Sequence, residues 1–184
     1  PIKSQTQGKD AEKNILEWIG RSYQASEDYQ KSVESFEAWL NLCKQTEDIA
    51  QELNAMGYLS SNYRLLGQYK QSITCSQQRL SLAEKNGDSI TQCFALSEIG
   101  MSYFYSQEYK QAIETFNQVL QLARRIKNQE RESNALGWLG ACFHSLKDYY
   151  RAIEYRTLQL DIAQEIGNLS EKFYALKGIS SAYQ

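Results

Sequence analysis

The chain has 184 residues, of which 42% are hydrophobic, 12% aromatic and 23% charged, and its formal net charge is −2. This composition is typical of a folded globular protein rather than a disordered one. Because acidic and basic residues are interspersed along the whole chain, there is no basic stripe of the kind that nucleic-acid-binding proteins carry, and we expect no nucleic-acid partner.

The sequence also bears on the compartment of the protein. It has no run of about 18 apolar residues, so we expect no membrane insertion. The cysteines are far apart, which argues against a zinc site or a disulfide framework and favours buried thiols in a cytoplasmic protein. These residues are Cys43, Cys75, Cys93 and Cys142. Since the first residue is Pro1 and not Met, we expect the chain to be a fragment of a longer protein.

A repeat of 40 residues runs through the chain, and each copy begins with a predicted helix. Its main apolar column contains Leu16, Met56, Leu96, Leu136 and Leu176. Apolar, small and aromatic columns follow at offsets of 3, 4 and 7 residues, which together form one face of a helix. The later copies are preceded by the predicted N-cap residues Asp48, Asp88, Asn128 and Asn168. Asn168 and Glu171 together resemble a capping box.

A second helix is predicted in each complete copy, and it begins at a tyrosine. The four starts are Tyr29, Tyr69, Tyr109 and Tyr149. The dipeptides before them mark tight turns, namely Glu27-Asp28, Gly67-Gln68, Gln107-Glu108 and Lys147-Asp148. We therefore predict a single all-α domain over residues 1–184, built of helix hairpins that must stack to bury their apolar faces. The repeat boundaries are 9–48, 49–88, 89–128 and 129–168, with a further helix at 169–184.

The pattern Leu-x-x-Ile-Gly-x-x-Tyr at residues 96–103, followed by Tyr-x-x-Ala-Ile at residues 109–113, resembles tetratricopeptide repeats. The resemblance extends from about residue 11 to the end. The unit is longer than the common length of about 34 residues, and is similar to the repeats of LGN/Pins adaptors, kinesin light chains and Rap-type regulators. The resemblance implies a right-handed superhelical solenoid of about four and a half repeats, with a concave groove for another protein or a peptide.

The sequence departs from two binding modes of this family. The asparagine with which LGN-type repeats grip their ligand is replaced by Arg21, Ser61, Met101, Ala141 and Ser181. The lysines and asparagines with which some members clamp a C-terminal carboxylate are also missing from the equivalent first-helix positions. The family resemblance therefore predicts a groove but does not identify its ligand.

Candidate partner-binding residues lie beside the packing columns of the first helices, on the flank that faces the groove in this family. They are Asn14, Trp18, Arg21, Asn54, Tyr58, Arg64, Phe104, Tyr105, Asn134, Trp138 and His144. Amide side chains can hold a partner's backbone with a paired donor and acceptor. Tryptophan, tyrosine and arginine most often dominate the energy of protein interfaces.

Each candidate also has a structural interpretation. The tryptophans fit packing between hairpins, the asparagines local helix capping, the arginines solvated surface charges, and the lone histidine has no supporting motif. Two glycines inside first helices, Gly57 and Gly137, are unfavourable there by about 1 kcal/mol. They make room either for a ligand backbone or for close packing between neighbouring first helices.

Catalysis is not expected. A single histidine and scattered cysteines provide neither a metal site nor a catalytic triad, and the glycines belong to the repeat rather than to a nucleotide-binding motif, so we predict no cofactor. Two alternatives to a simple binding module stay open. One is a peptide-sensing domain that regulates an attached effector, and the other is a scaffold that forms a homodimer through its apolar C-terminal helix.

Overall fold

The computed structural model describes the backbone of residues 2–183 and the side chains of residues 8–183, and it confirms the all-α prediction. Within these limits there are nine helices. They are α1 (Ile2–Ala25), α2 (Tyr29–Gln45), α3 (Ile49–Leu65), α4 (Tyr69–Lys85), α5 (Ser89–Tyr105), α6 (Tyr109–Arg125), α7 (Gln129–Ser145), α8 (Tyr149–Glu165) and α9 (Leu169–Ala182). The second helices begin at the predicted tyrosines, and α1 begins well before residue 9, where the first repeat was expected to start.

The connections between helices follow one pattern. A residue with left-handed backbone conformation, with φ between 54° and 73°, recurs after every helix from α1 to α8. These residues are Glu27, Glu47, Gly67, Gly87, Gln107, Lys127, Lys147 and Gly167. The next residue donates its backbone N–H back across the end of the helix, as from Asp148 to the carbonyl of Phe143 at 2.9 Å. This is the Schellman arrangement, which lets the chain reverse in a very short turn.

The predicted N-caps are confirmed. The side chains of Asp48, Asp88, Asn128 and Asn168 each accept a hydrogen bond from the backbone N–H three residues later. The distances lie between 2.9 and 3.2 Å. These bonds satisfy backbone donors that the first turn of a helix leaves free.

The helices form two compact units, α1–α4 and α5–α9, divided after Gly87. In the first unit, Phe36 and Trp39 of α2 are buried against Met56 and Leu59 of α3. In the second unit, α6 and α7 provide the largest fully buried apolar side chains, which are Phe116, Val119, Leu136 and Leu139. Each unit therefore has its core between the second helix of one hairpin and the first helix of the next.

The small-residue column acts as predicted within each hairpin. A Cβ atom on Gly20 would lie 2.5 Å from the ring of Phe36, and one on Gly100 would lie 2.8 Å from the ring of Phe116. Both distances are far below van der Waals contact, so only glycine allows the two helices this approach. In the part of the chain that the structure describes, no helix is long and apolar enough to cross a membrane.

Candidate partner-binding cleft of α7–α9

None of the predicted groove residues is fully buried. Five are exposed: Asn14, Trp18, Arg21, Asn54 and Tyr105. The others are half-buried: Tyr58, Arg64, Phe104, Asn134, Trp138 and His144. The two compact units differ in how closely they bring these side chains together.

In the α1–α4 unit the candidates remain dispersed over two helices. Trp18 is 64% exposed, and the Arg21 guanidinium lies 5.1 Å from its ring and 3.3 Å from the Glu17 carboxylate. Tyr58 stacks on Phe36 with ring centroids 4.8 Å apart. A cavity of about 660 Å³ in this unit is lined by other residues of α2, α3 and α4, including Tyr63.

In the α5–α9 unit the candidates converge around the indole of Trp138. This ring lies parallel to Phe116 at 5.5 Å, with an interplanar angle of 3°. Phe104 and Tyr105 meet it edge-on at 5.4 and 6.2 Å. Such aromatic pairs add stabilisation beyond the area that they bury. Trp138 therefore packs between hairpins on one face, as one interpretation predicted, and its other side lines an open cavity.

Two adjoining cavities lie along α7 and α9. The aromatic cavity, of about 400 Å³, is lined by Tyr105, Asn134, Gly137, Trp138, Ala141, Arg156, Gln159, Glu171 and Tyr174. The basic cavity, of about 330 Å³, is lined by Phe104, Gly140, Ala141, His144, Ser145, Arg156, Tyr174, Lys177, Gly178 and Ser181. Because Ala141, Arg156 and Tyr174 line both, we name the two together the α7–α9 cleft. All the predicted groove residues of this unit line it.

The glycines of the first helices make room for polar side chains of the second helix in the same hairpin. A Cβ atom on Gly137 would lie 2.7 Å from the Gln159 amide, and one on Gly57 would lie 2.8 Å from the Arg79 guanidinium. The space beside each glycine is therefore filled by a side chain of the hairpin's own second helix, which neither sequence-based interpretation predicted, and Gly137 also lines the aromatic cavity.

A short polar network forms the floor of the cleft. Arg156 Nη1 donates to Gln159 Oε1 at 2.8 Å, and Gln159 Nε2 donates to Glu171 Oε2 at 2.5 Å. Glu171 thus bonds Gln159 instead of completing the expected capping box, although Asn168 does cap α9. Burial lowers the pKa of Arg156, and the Glu171 carboxylate acts in the opposite direction. The Arg156 guanidinium nevertheless remains charged, because an arginine in a protein stays protonated.

Arg156 and Gln159 are not among the predicted groove residues, because those were expected on first helices only. Both lie on α8, a second helix. The sequence does contain a signal for Arg156, because the other residues of its repeat column are apolar or small. Its repeat equivalents are Phe36, Ser76 and Phe116. A charged residue in a packing column indicates either a surface edge or a polar site.

A tetratricopeptide repeat family model matches residues 13–85 and 91–165 of the chain. No curated protein is detectably similar to it in sequence. Among solved structures, it is similar to a signal transduction ATPase with numerous domains from Pyrococcus horikoshii that has a tetratricopeptide repeat sensor. That match has a TM-score of 0.82 and 18% identity, and covers 93% of this chain and 27% of the other.

Two further structures have similar folds. A kinesin light chain-like protein of Podosopora anserina, with nearly identical tetratricopeptide-like repeats, matches with a TM-score of 0.74 and 17% identity, covering 93% of this chain and 85% of that one. A Rap protein complexed with competence and sporulation factor matches with a TM-score of 0.79 and 17% identity, covering 94% and 48%. The chain thus spans about a quarter of the ATPase and about half of the Rap protein. The expected resemblance to Rap and kinesin light chain repeats is confirmed, and identities this low concern the fold alone.

Proposed function

Because the chain belongs to the tetratricopeptide repeat family, we propose that it is a protein-interaction module that binds a peptide or helical segment of a partner protein. Members of this family generally bind proteins and are not themselves catalytic. The observation that carries the proposal is the α7–α9 cleft, where the predicted groove residues of one unit surround an open space.

The lining of the cleft suits a peptide. Tyr105 is 47% exposed and Tyr174 is 57% exposed, so both rings can cover an apolar side chain. The Asn134 amide lines the same space and makes no hydrogen bond to any described residue, which leaves its donor and acceptor for a peptide backbone. Aromatic rings around a free amide combine affinity with orientation.

The candidates of the α1–α4 unit remain part of the proposal as additional contacts. They are Asn14, Trp18, Arg21, Asn54, Tyr58 and Arg64. We also propose that the protein acts in the cytoplasm, because its cysteines are free and buried, and that it binds neither nucleic acid nor a cofactor.

Two alternatives have specific support. The likeness to an ATPase with a tetratricopeptide repeat sensor and to a Rap protein complexed with competence and sporulation factor favours a domain that senses a peptide and regulates an effector. Exposed apolar side chains on α9 and at its C-cap favour a homodimer. These include Leu169 at 78%, Phe173 at 62% and Tyr183 at 75% exposure. Light scattering over a range of concentrations separates the homodimer from a monomeric binding module.

The proposal is tested by selecting binders to the purified chain from a random peptide library. We expect enriched peptides whose affinity falls by at least about 2 kcal/mol, or roughly 30-fold in Kd, in the variant Trp138→Ala. Tyr150→Ala is the matched control, since Tyr150 lies outside the cleft and is 83% exposed. Circular dichroism checks that each variant is folded.

Two results would contradict the proposed function. One is a library that gives no enriched peptide. The other is a set of peptides that bind Trp138→Ala and the parent chain equally well, which would place the binding surface elsewhere. Because Trp138 also packs on Phe116, Tyr105→Ala serves as a second variant that removes an exposed ring and little core packing.

A further inference from the structure

The basic cavity is lined by two cationic side chains, Arg156 and Lys177, and by the imidazole of His144. No aspartate or glutamate is among its lining residues. The adjoining aromatic cavity differs, since Glu171 lies in its wall. The one carboxylate of the cleft therefore lines the cavity that contains Trp138, whereas Lys177 lines the basic cavity and Arg156 lines both.

Arg156 is the basic group that is held in the floor of the cleft. Its guanidinium makes one hydrogen bond, to Gln159, and has no carboxylate within ion-pair distance in the described part of the chain. Other arginines of this unit are paired at the surface, as Arg124 is with Glu132 at 2.7 Å and Arg151 with Asp148 at 2.6 Å. A guanidinium has five N–H donors, so most of those on Arg156 are available from the cleft. Desolvation without a partner is unfavourable for a cation.

Two glycines fix the path of the Arg156 side chain. A Cβ atom on Gly140 of α7 would lie 2.9 Å from Arg156 Cγ, and one on Gly178 of α9 would lie 2.5 Å from Arg156 Nε. Any larger residue at either position would displace the arginine. The side chain is thus held between two helices with its charged end at the cavity.

Arg156 and Gly178 occupy repeat positions that hold a stacked aromatic pair elsewhere in the chain. Phe36 stacks on Tyr58, and Phe116 stacks on Trp138. The equivalent positions one repeat later hold Arg156 and Gly178. The missing ring of Gly178 leaves the space that becomes the basic cavity, and the arginine places a charge in its floor.

We infer that the basic cavity binds the carboxylate of an aspartate or glutamate side chain in the partner segment, with the Arg156 guanidinium as its principal ligand. This inference rests on the proposed function and specifies its partner as an acidic peptide. The planar fork of a guanidinium matches a carboxylate with two parallel hydrogen bonds. Lys177, which is exposed and lines the same cavity, adds a second cation.

The geometry favours a side-chain carboxylate over the other anionic groups. A doubly charged phosphate is a poorer match than a carboxylate, because the Glu171 carboxylate lies one hydrogen-bonded side chain away from the Arg156 guanidinium and opposes additional negative charge. The basic cavity also continues into the aromatic cavity, so that a bound chain passes through the cleft and presents side chains to it. The neighbouring residue of the peptide is then expected to be apolar, because Trp138, Tyr174 and Phe104 flank the charge.

The test selects peptides from the same random library with the parent chain, Arg156→Met and the control Arg124→Gln. Methionine keeps the unbranched stem between Gly140 and Gly178 but removes the charge. We expect parent-selected peptides to share an acidic residue next to an apolar one. They should bind Arg156→Met roughly 30-fold more weakly and Arg124→Gln with unchanged affinity.

A double-mutant cycle then assigns the contact. Replacing the peptide's acid with its amide should weaken binding to the parent chain by the same factor and have little further effect on Arg156→Met. Arg156→Glu should select peptides with a lysine or arginine at that position. If Arg156→Met does not fold, Arg156→Lys takes its place. A loss of affinity is still expected, because a lysine cannot make the two parallel hydrogen bonds that a guanidinium makes to a carboxylate.

The outcomes separate this inference from the proposed function. Peptides that depend on Trp138 but show no acidic residue, or whose acid does not couple to position 156, overturn the inference and leave the proposed function standing. A phosphoserine peptide that binds more tightly than its glutamate counterpart overturns the choice of a carboxylate. A library without any binder overturns both.

Discussion

The hairpins α3–α4 and α7–α8 share several packing features but differ in one column of the second helix. In each, the first helix has a glycine followed by an aromatic residue, Gly57–Tyr58 and Gly137–Trp138. Each aromatic ring stacks on a phenylalanine of the preceding second helix. A polar side chain of the hairpin's own second helix then fills the space over the glycine.

The two hairpins differ one turn earlier on the second helix. There α4 has Ser76, and α8 has Arg156. The Ser76 hydroxyl is buried without a hydrogen-bond partner among the described residues, whereas the Arg156 guanidinium reaches the basic cavity. The comparison indicates that a charged residue in a packing column, together with the glycines that make room for it, gives the α7–α8 hairpin its individual chemistry.

The largest loss of stability is expected when the aromatic stacks are removed. This prediction tests whether the stacks of the two units contribute equally to the free energy of unfolding. Phe36 and Phe116 are both 0% exposed, and each stacks on the next first helix. We expect Phe36→Ala and Phe116→Ala each to lower the free energy of unfolding by about 3–5 kcal/mol, measured by urea unfolding followed by circular dichroism. A loss below about 1 kcal/mol for either variant would show that its stack is not part of the core.

Ser76→Ala is the control in the same column. It removes a buried hydroxyl that has no partner among the described residues, and the free energy of unfolding should stay the same or rise slightly. A marked loss of stability would mean that this hydroxyl makes a hydrogen bond after all.

The two glycines give the next prediction. Gly57→Ala needs only the flexible end of Arg79 to move, and alanine gains about 1 kcal/mol of helix propensity. Gly137→Ala displaces Gln159, which is 2% exposed and held by hydrogen bonds to Arg156 and Glu171. We expect Gly137→Ala to destabilise the chain by about 2 kcal/mol and Gly57→Ala to have little effect. Equal effects in urea unfolding would indicate that displacing the end of the Arg79 side chain costs as much as displacing the Gln159 amide.

The caps of the first helices predict a difference in acid stability. Asp48 caps α3, and its hydrogen bond with Lys13, at 2.6 Å, lowers the pKa of the carboxyl. Its equivalent on α7 is the uncharged Asn128. A carboxyl whose pKa is lowered on folding stabilises above its unfolded pKa of about 3.9, and this stabilisation disappears as the pH falls through the lower folded value.

Asp48→Asn should therefore cost about 1–2 kcal/mol at pH 7, since it leaves the 2% exposed Lys13 with Asp10 alone. The loss should shrink as the pH falls from about 4 through the lowered pKa. The measurement is urea unfolding as a function of pH, with Asn128→Ser as a control that removes no charge. A loss that stays constant with pH would contradict the role of the ion pair.

Much of the fold was predictable because its determinants are local and periodic. The tyrosines that begin the second helices and the polar N-caps act within one helical turn, so the position of Asp148 or Asn168 in the repeat was enough to place a helix end. For Trp138, Phe104 and Tyr105, the sequence predicted that they lie on the same face but not that their rings are in contact.

The floor of the cleft was not predictable in the same way. The contacts of Arg156 with Gly140 and Gly178 join three helices, and their geometry depends on how far the hairpins approach. Periodicity shows which residues share a face but not which neighbouring side chain fills the space above a glycine. The roles of Gly57 and Gly137 were misjudged for the same reason.

The smallest effect concerns the turns inside the two hairpins. Gly67 and Lys147 occupy the same position with φ of 73° and 61°, a conformation that a side chain makes unfavourable by about 1–2 kcal/mol. Lys147→Gly should therefore stabilise the chain by about 0.5–1 kcal/mol, because relief of this strain exceeds the extra entropy of an unfolded glycine. Gly67→Ala should destabilise it by about 1 kcal/mol, although no atom lies within 4 Å of the added Cβ. Both variants are measured by urea unfolding. Shifts of opposite sign would show that the left-handed conformation shared by the two turns alone determines the preference for glycine, and shifts of the same sign would show that side-chain contacts outweigh it.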